Sequence, residues 1–263
     1  MSVNADSTFF QWVIFIFQAY WPLFLRGAEV TLIISLTGTI IGFCIGVLIG
    51  VIRTIPIDHN TNIVTKILYK IVNFLLLCYI EIFRGTPMIV QAMVVFYGVA
   101  MIYGIHLSTL FAGIFIVSIN TGAYMAEIVR GGILSIDNGQ FEAAHSIGMT
   151  HFQTMLNIIL PQAIRNILPA TSNEFVINIK DTSVLNVIGV TELFFMSKSA
   201  AGNNFRYFEV FLITCLIYFV MTFTVTRILR YFEVKLDGPS VYTIHGSQTV
   251  PEAQFKIVDR GKR

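Results

Sequence analysis

Residues 28–52 read AEVTLIISLTGTIIGFCIGVLIGVI, an apolar run that ends at Arg53. A helix that crosses a bilayer needs about 20 apolar residues, and this run is long enough. The rest of the chain agrees, since 55% of its residues are hydrophobic and 12% are charged. An average soluble domain carries about twice that charge. The sequence therefore predicts an all-α, polytopic membrane protein.

Four further apolar stretches predict crossings at 86–104, 108–129, 162–188 and 207–229. The apolar residues just before the first of these carry Glu81 and Arg84, and we expect them to form a helix at the cytoplasmic boundary. Residues 9–25 predict an interfacial helix, because Trp12 and Trp21 are typical of the headgroup region. A sixth crossing is the alternative for that segment.

The predicted organisation has three parts. Residues 1–27 form an outer, interfacial segment, residues 28–233 form the transmembrane domain, and residues 234–263 form a loosely ordered cytoplasmic tail. If the N-terminus is outside, most of the 17 lysines and arginines fall in the inner segments. The positive-inside rule favours that orientation, with the C-terminus in the cytoplasm.

Glycines recur every four residues along the first span. They are Gly38, Gly42, Gly46 and Gly50. Such a ladder gives one smooth helix face, against which another helix can pack closely. A sliding surface for conformational change is an alternative that is compatible with packing.

A polar stretch follows the third span. Residues 141–161 read FEAAHSIGMTHFQTMLNIILP and include the pattern Glu142-Ala143-Ala144, followed by Gly148. Two alanines side by side predict a short helix that a partner can approach closely. Gly148 allows the chain to leave that helix in a conformation that other residues resist.

The spacing of this stretch resembles the EAA motif of permease subunits of ATP-binding cassette (ABC) importers. Four other segments resemble the polar amino-acid branch of that superfamily. They are EIFRGTP at 81–87, EIVRGGI at 127–133, LPQAIRNILP at 160–169 and NEFVINIKDTSVLNVIGVTEL at 173–193. The resemblance covers about residues 20–232. It implies a type I ABC importer permease fold with five transmembrane helices and a cytoplasmic coupling helix at about 140–150.

The resemblance also implies partners. Two permease subunits, identical or sister, form a pore in the inner membrane, and an extracytoplasmic solute-binding protein delivers a polar amino acid. Cytoplasmic ABC ATPase subunits dock on the coupling helix, which makes Glu142, Ala143, Ala144 and Gly148 the expected contacts. ATP and magnesium belong to those ATPase subunits. This chain has no GxxxxGK[ST] phosphate loop, so we expect neither ATP hydrolysis nor a cofactor here.

One face of the fourth span is polar. Thr171, Glu174, Asn178 and Asp181 share that face at spacings of three, four and three. Charges at membrane depth usually face the bundle interior or a water-filled cavity, so we expect these residues to line the substrate pathway. The alternative is structural, with Glu174 and Asp181 pairing with Lys180 or with other spans.

The pairs Glu81–Arg84 and Glu127–Arg130 share the pattern E-I-x-R. Local ion pairs at helix spacing are the default expectation, and a role in an inner gate or at the ATPase surface is the alternative. The outer loop 190–206 is the expected contact for the binding protein. No histidine or cysteine spacing predicts a metal site, and the net charge of +2 indicates no nucleic-acid partner.

Three other interpretations remain open. The polar stretch can be an amphipathic helix on the membrane surface, although it carries few lysines and arginines for that role. The chain can also be a secondary transporter or channel that is independent of an ATPase. An intramembrane enzyme is the third, but no paired metal ligands or serine–base set occurs at membrane depth.

Overall fold

The computed structural model of the protein describes residues 8–57 and 62–237, together with two short strands at 242–244 and 255–257. Its helices are α1 (Phe9–Arg53), α2 (Ile63–Gly85), α3 (Met88–Tyr103), α4 (Thr109–Leu134), α5 (Asn138–Ser146), α6 (His151–Thr154), α7 (Leu160–Asp181), α8 (Leu193–Asn204) and α9 (Tyr207–Asp237). A π-helical turn, Met155–Ile159, joins α6 to α7, and a 3₁₀ segment, Thr182–Ile188, follows α7.

Four of these helices are long and apolar enough to cross a membrane: α1, α2, α4 and α9. A fifth span is formed if His151–Ile188 and Leu193–Asn204, which meet at a bend of 57°, count as one crossing. Many large apolar side chains on α2 and α9 point outward, where lipid tails can solvate them. The predicted helical membrane fold is confirmed, with four or five candidate spans.

α1 corrects one predicted boundary. The helix is continuous over 45 residues, about 67 Å, whereas the sequence predicted an interfacial helix at 9–25 and a separate span at 28–52. Its N-terminal half is held by packing, because Ile16 and Phe24 are buried against residues of α8 and α9. No helix-stopping residue other than Pro22 interrupts it, and tertiary contacts on both sides of Pro22 keep the helix intact.

The second predicted crossing is also corrected. The structure gives 23 residues to α2 and only 16 to α3, whereas the sequence placed the crossing at 86–104 and a boundary helix before it. The break falls at Thr86–Pro87, where the backbone is extended. The side-chain amide of Gln91 donates to the carbonyls of Phe83 and Thr86, both at 2.9 Å, and so satisfies groups that the end of α2 leaves open.

The glycine ladder faces α4. A Cβ on Gly38 would lie 2.5 Å from Val117 Cγ1, and a Cβ on Gly50 would lie 2.6 Å from Val129 Cγ1. The residue offset between the two helices is constant, so α1 and α4 run parallel. Gly42 and Gly46 face Thr121 and Met125 in the same way.

This parallel arrangement brings the C-terminal ends of α1 and α4 together. Glu127 forms an ion pair with Arg53 of α1 and, at 3.1 Å, with Arg130. α9 runs in the same direction as α1. Near the start of both helices, Phe208 of α9 contacts Phe9 of α1. Later in both helices, Tyr218 of α9 donates to Glu192, whose neighbour Leu193 bonds to Thr31 of α1. The chain between α1 and α4 must therefore cross back once, through α2 and α3.

The π-helical turn before α7 has a local cause. Pro161 lies in the first turn of α7, and the helical path continues backward from it through the π turn Met155–Ile159. Proline lacks an N–H and its ring clashes with the carbonyl four residues earlier. A wider π turn accommodates both effects.

The predicted outer loop 190–206 is mostly helical. α8 occupies Leu193–Asn204, and Ser197, Ala200 and Ala201 are buried, since small side chains let α8 lie close to α1 and α9. Glu192, with 0% exposure, caps this helix by accepting hydrogen bonds from the N–H groups of Phe194 and Phe195, both at 2.7 Å. The surface available to a partner here is therefore smaller than a free loop would offer.

Two short strands are described after α9. Strand β1 (Tyr242–Ile244) pairs with β2 (Phe255–Ile257) in antiparallel register, with Thr243 opposite Lys256. The sequence predicted a loosely ordered tail over 234–263, so these two strands were missed. The other tail residues after 237, and residues 1–7, lie outside the described residues.

Candidate transport cavity and ATPase-docking helix

A polar cavity of about 270 Å³ lies between the C-terminal end of α2, the middle of α4 and α7. Three of the four predicted pathway residues, Glu174, Asn178 and Asp181, line it. Thr171 does not, because it lies nearer the N-terminal end of α7, where its hydroxyl donates to the carbonyl of Ile167 at 3.1 Å. The helical spacing of this face therefore predicted the cavity wall except at Thr171.

The cavity carries both signs of charge. Glu174, which is only 5% exposed, and Asp181 contribute carboxylates from α7. Arg84 contributes a guanidinium from the last turn of α2, where its Cζ lies 5.5 Å from the centroid of the Tyr124 ring. A site with these groups can hold a ligand that has an ammonium and a carboxylate.

At the wall of this cavity, Asn178 holds three helices together. Its side-chain amide is buried and donates to Thr39 Oγ1 at 2.8 Å and to Thr121 Oγ1 at 2.9 Å. These bonds join α7 to α1 and α4. Both amide hydrogens of Asn178 are therefore used within the bundle.

The sequence did not connect α2 and α4 with this cavity. Arg84, Asn120 and Tyr124 all line it. Asn120 donates to the carbonyl of Phe83 at 3.2 Å and to Gln91 Oε1 at 3.0 Å, which ties α4 to the α2–α3 break. The Arg-Gly-Thr-Pro part of EIFRGTP could have predicted that α2 reaches the cavity. Gly and Pro end a helix there, and a helix that ends at membrane depth exposes polar backbone groups, which need a polar space around them.

The two E-I-x-R motifs behave differently. Glu127 pairs with Arg130 as predicted, and Arg53 joins them from α1. The expected pair between Glu81 and Arg84 does not form; Arg84 turns toward Tyr124 instead. Lys180, which the sequence placed beside the acidic groups of its own helix, lines a separate groove against α9.

The EAA helix is α5, at the end of the bundle where α1, α4 and α9 also end. Glu142 and Ala143 are exposed, whereas Ala144 is only 2% exposed and lies against the chain itself. The expected close approach at Ala144 is therefore wrong: a short helix must bury one face on the bundle, and Ala144 is on that face.

Gly148 ends α5 as the sequence predicts. Its φ of +85° is in the left-handed region, and the N–H of Met149 donates to the carbonyl of Ala144 at 3.1 Å. The turn then enters α6, which Thr150 and Gln153 cap reciprocally. Gly148 therefore sets the angle between α5 and the helix that leads to the cavity.

Two exposed apolar side chains accompany this helix and were missed by the sequence reasoning. Ile147 is 77% exposed and Phe152 is 70% exposed. Both lie next to polar residues instead of within an apolar span. Exposed large apolar groups in such a setting are typical of a protein-binding surface. Within residues 8–57 and 62–237, no group of three or more histidine, cysteine, aspartate or glutamate side chains can hold a metal ion.

A helical bundle with four or five candidate membrane spans, a charged cavity inside it and an exposed helix at one end indicates a membrane transport protein. The chain belongs to the family of binding-protein-dependent transport system inner membrane components, whose model matches residues 63–238. It is thus a permease subunit of an ABC importer and spans the inner membrane several times. It is not an enzyme, because ATP hydrolysis belongs to the separate ATPase.

Individual relatives agree with this assignment. The glutamine transport system permease protein GlnP of Escherichia coli K12 is 36% identical over 226 residues, which cover 84% of this chain and 98% of GlnP. The arginine transport system permease protein ArtQ of Bacillus subtilis is 32% identical over 217 residues, or 82% of this chain and 94% of ArtQ. The crystal structure of an amino acid ABC transporter with histidines superposes with a TM-score of 0.73 at 36% identity, covering 89% of this chain and all of that one.

Proposed function

We propose that this permease imports a polar amino acid that an extracytoplasmic binding protein delivers, and that the cavity between α2, α4 and α7 is the membrane site that the amino acid occupies. The single observation that carries the proposal is the charge arrangement there. Arg84 lies on one wall and Glu174 and Asp181 on another.

The chemistry of the ligand follows from these charges. An amino acid carries a carboxylate that can pair with Arg84 and an ammonium that can pair with Asp181. The relatives that carry glutamine and arginine in their names share this α-amino and α-carboxyl chemistry. The cavity of about 270 Å³ has the size of a small-molecule site.

The energy source is proposed to act through α5. An ABC ATPase subunit would contact Glu142, Ala143 and the turn at Gly148, and its closure would move α5 together with α6 and α7. α7 carries Glu174 and Asp181, so this motion would change the cavity directly. Nucleotide would drive the cycle through its different affinity for the two states of the complex.

The orientation is part of the proposal. The ends of α1, α4 and α9 that carry Arg53, Arg130 and Lys235 lie on the same side as α5. The positive-inside rule puts that side in the cytoplasm, where an ATPase can reach α5. The N-terminus and the turn before α4 would then face outward.

Reconstitution tests the proposal. The permease is placed in proteoliposomes with an ABC ATPase and a solute-binding protein from the same organism, and uptake of radiolabelled amino acids is measured with and without internal ATP. We expect uptake only with ATP and all subunits. Uptake by the permease alone, driven by an ion gradient, would overturn the proposal in favour of a secondary transporter.

A further inference from the structure

Asn120 presents only the oxygen of its side-chain amide to the transport cavity. Its Nδ2 donates to the carbonyl of Phe83 at 3.2 Å and to Gln91 Oε1 at 3.0 Å, so both amide hydrogens are used. Gln91 fixes this orientation, because its own nitrogen donates to the carbonyl of Thr86 at 2.9 Å and leaves its oxygen for Asn120. Asn120 Oδ1 accepts no hydrogen bond from residues 8–57 and 62–237, and it is not enclosed by protein. Asn120 therefore offers the cavity an acceptor and no donor.

The groups that can hold an anion are gathered at one place, the break between α2 and α3. Arg84 lies in the last turn of α2, and it is the single basic residue among the described residues that line the cavity. α3 begins four residues later, at Met88, and its first backbone N–H groups have no partner within the helix. A carboxylate is favoured at the start of a helix as well as beside a guanidinium. The cavity therefore has one place that suits a carboxylate.

Two acceptors line other parts of the wall. Asp181 contributes a carboxylate from α7, and Asn120 contributes its amide oxygen from α4. Tyr124 also lines the cavity, but its hydroxyl can donate or accept and so does not distinguish between donor and acceptor side chains. Once Asp181 has paired with the ammonium of an amino acid, the oxygen of Asn120 is left for the side chain of the substrate.

A second carboxylate has no suitable place in this arrangement. Glutamate carries two carboxylates. Whichever one pairs with Arg84, the other faces the oxygen of Asn120 or the carboxylate of Asp181 without a donor between them. An anion away from bulk water is costly when it lacks a partner. Glutamine has nearly the same size and shape, but its side-chain amide carries two N–H donors, one of which Asn120 Oδ1 can accept.

We propose that the cavity selects amino acids whose side chains donate hydrogen bonds, such as an amide or a guanidinium, and rejects acidic amino acids. In this assignment Asn120 has two roles. Its nitrogen holds the α2–α3 break in place, and its oxygen receives the donor of the substrate side chain. The inference rests on the proposed function, in which this cavity holds the amino acid, and it adds the class of side chain.

Binding to the permease itself tests this selection, because a solute-binding protein would impose a selection of its own. Purified full-length permease in lipid nanodiscs is titrated with L-glutamine, L-arginine and L-glutamate by isothermal titration calorimetry. We expect glutamine or arginine to bind at least about tenfold more tightly than glutamate. A smaller preference, or no binding of any of the three, would overturn the inference. A permease that shows the expected preference but does not import amino acids when reconstituted would overturn only the proposed function.

A second cation in the cavity should admit glutamate. Met88→Lys places an ammonium at the cavity wall on a side chain of similar length, so the affinity for glutamate should rise at least about tenfold relative to that for glutamine. Met101→Lys is the matched control, since it makes the same substitution in the same helix at a side chain that is 90% exposed and does not line the cavity. The control should keep the original ratio, and an unchanged ratio in Met88→Lys would overturn the inference.

Asn120→Leu separates the two roles of this residue. Loss of the bonds to Phe83 and Gln91 should lower the melting temperature. Loss of the oxygen should weaken glutamine binding about tenfold while glutamate binding changes little, so the ratio of the two affinities falls. A residue with only a structural role would weaken both amino acids equally, and that result would remove Asn120 from recognition of the side chain.

Discussion

The two sides of α4 differ in what they pack against. Toward α1, the glycine ladder brings the backbones together, and Val117, Met125 and Val129 leave no space for a side chain on the opposite helix. Toward α2 and α7, Asn120 and Tyr124 line a cavity with charged walls. The first interface is close-packed, whereas the second encloses a cavity that is lined by both basic and acidic side chains.

This difference indicates which parts of the bundle can move. Close packing leaves an interface with few alternative arrangements, so we expect α1 and α4 to move as one body. The cavity side has hydrogen bonds from Asn120 and Asn178 and a broken helix at Thr86–Pro87, all of which can rearrange. We infer that α7 moves against the α1–α4 pair during transport, driven from α5.

The largest effect should come from filling the ladder. Gly46→Leu places a side chain against Met125 and Ala126, so the bundle cannot close; we expect loss of folded protein or a fall of about 3 kcal/mol in the free energy of unfolding. Detergent-solubilised yield and thermal melting measure this. Gly131→Leu, on α4 with nothing within 4 Å of an added Cβ, is the control. Equal behaviour of the two variants would show that the interface is not tightly packed.

A second prediction concerns the cavity wall. Asp181→Asn removes a carboxylate without changing side-chain volume. A charged hydrogen bond contributes about 1.5–3 kcal/mol, so we expect amino-acid uptake at subsaturating substrate to fall about 10- to 100-fold. Melting temperature and ATPase binding should stay the same. Asn178→Ala is the contrast, since it cuts the bonds to Thr39 and Thr121 and should lower the melting temperature.

The fold could be predicted where a pattern maps onto one helix. The apolar runs predicted five spans, and the four-residue glycine repeat predicted a close-packed face, because both depend only on helical periodicity. The continuity of α1 could not be predicted, since it depends on Ile16 and Phe24 packing against α8 and α9, far away in sequence. The length of α2 was missed because Glu81 and Arg84 made it less apolar than a lipid-facing span should be.

The residues of the candidate site likewise fall into a part that the sequence predicted and a part that it did not. Glu174, Asn178 and Asp181 share one helical face, which was visible in their spacing. Arg84 and Tyr124 reach the cavity from α2 and α4, and no local pattern links them to α7. On α5, the motif indicated a docking helix but not its rotation, so Ala144 was placed on the wrong face and Ile147 was overlooked.

A third, smaller effect should appear at the docking surface. Ile147→Ser removes an apolar side chain that is exposed in the isolated chain but that we expect an ATPase to bury. Burial of such a side chain contributes about 1.5–3 kcal/mol, so the dissociation constant for the ATPase should rise about tenfold or more. Microscale thermophoresis of detergent complexes measures it. Tyr103→Ser, exposed at the opposite end of the bundle, should leave it unchanged; an unchanged constant for Ile147→Ser would remove this residue from the interface.

The smallest effect tests whether the α1–α4 pair stays rigid at its charged end. Arg53→Gln breaks the ion pair with Glu127 but leaves Arg130 in place, so one partner remains for the carboxylate. The pair is only partly buried, and we expect a loss of about 1 kcal/mol in the free energy of unfolding, with little change in uptake. Glu127→Gln should cost more, because it leaves two guanidinium groups facing each other without a counter-charge. If Arg53→Gln instead stops uptake while the melting temperature is unchanged, this end of α1 takes part in the motion, and the rigid pair ends before Glu127.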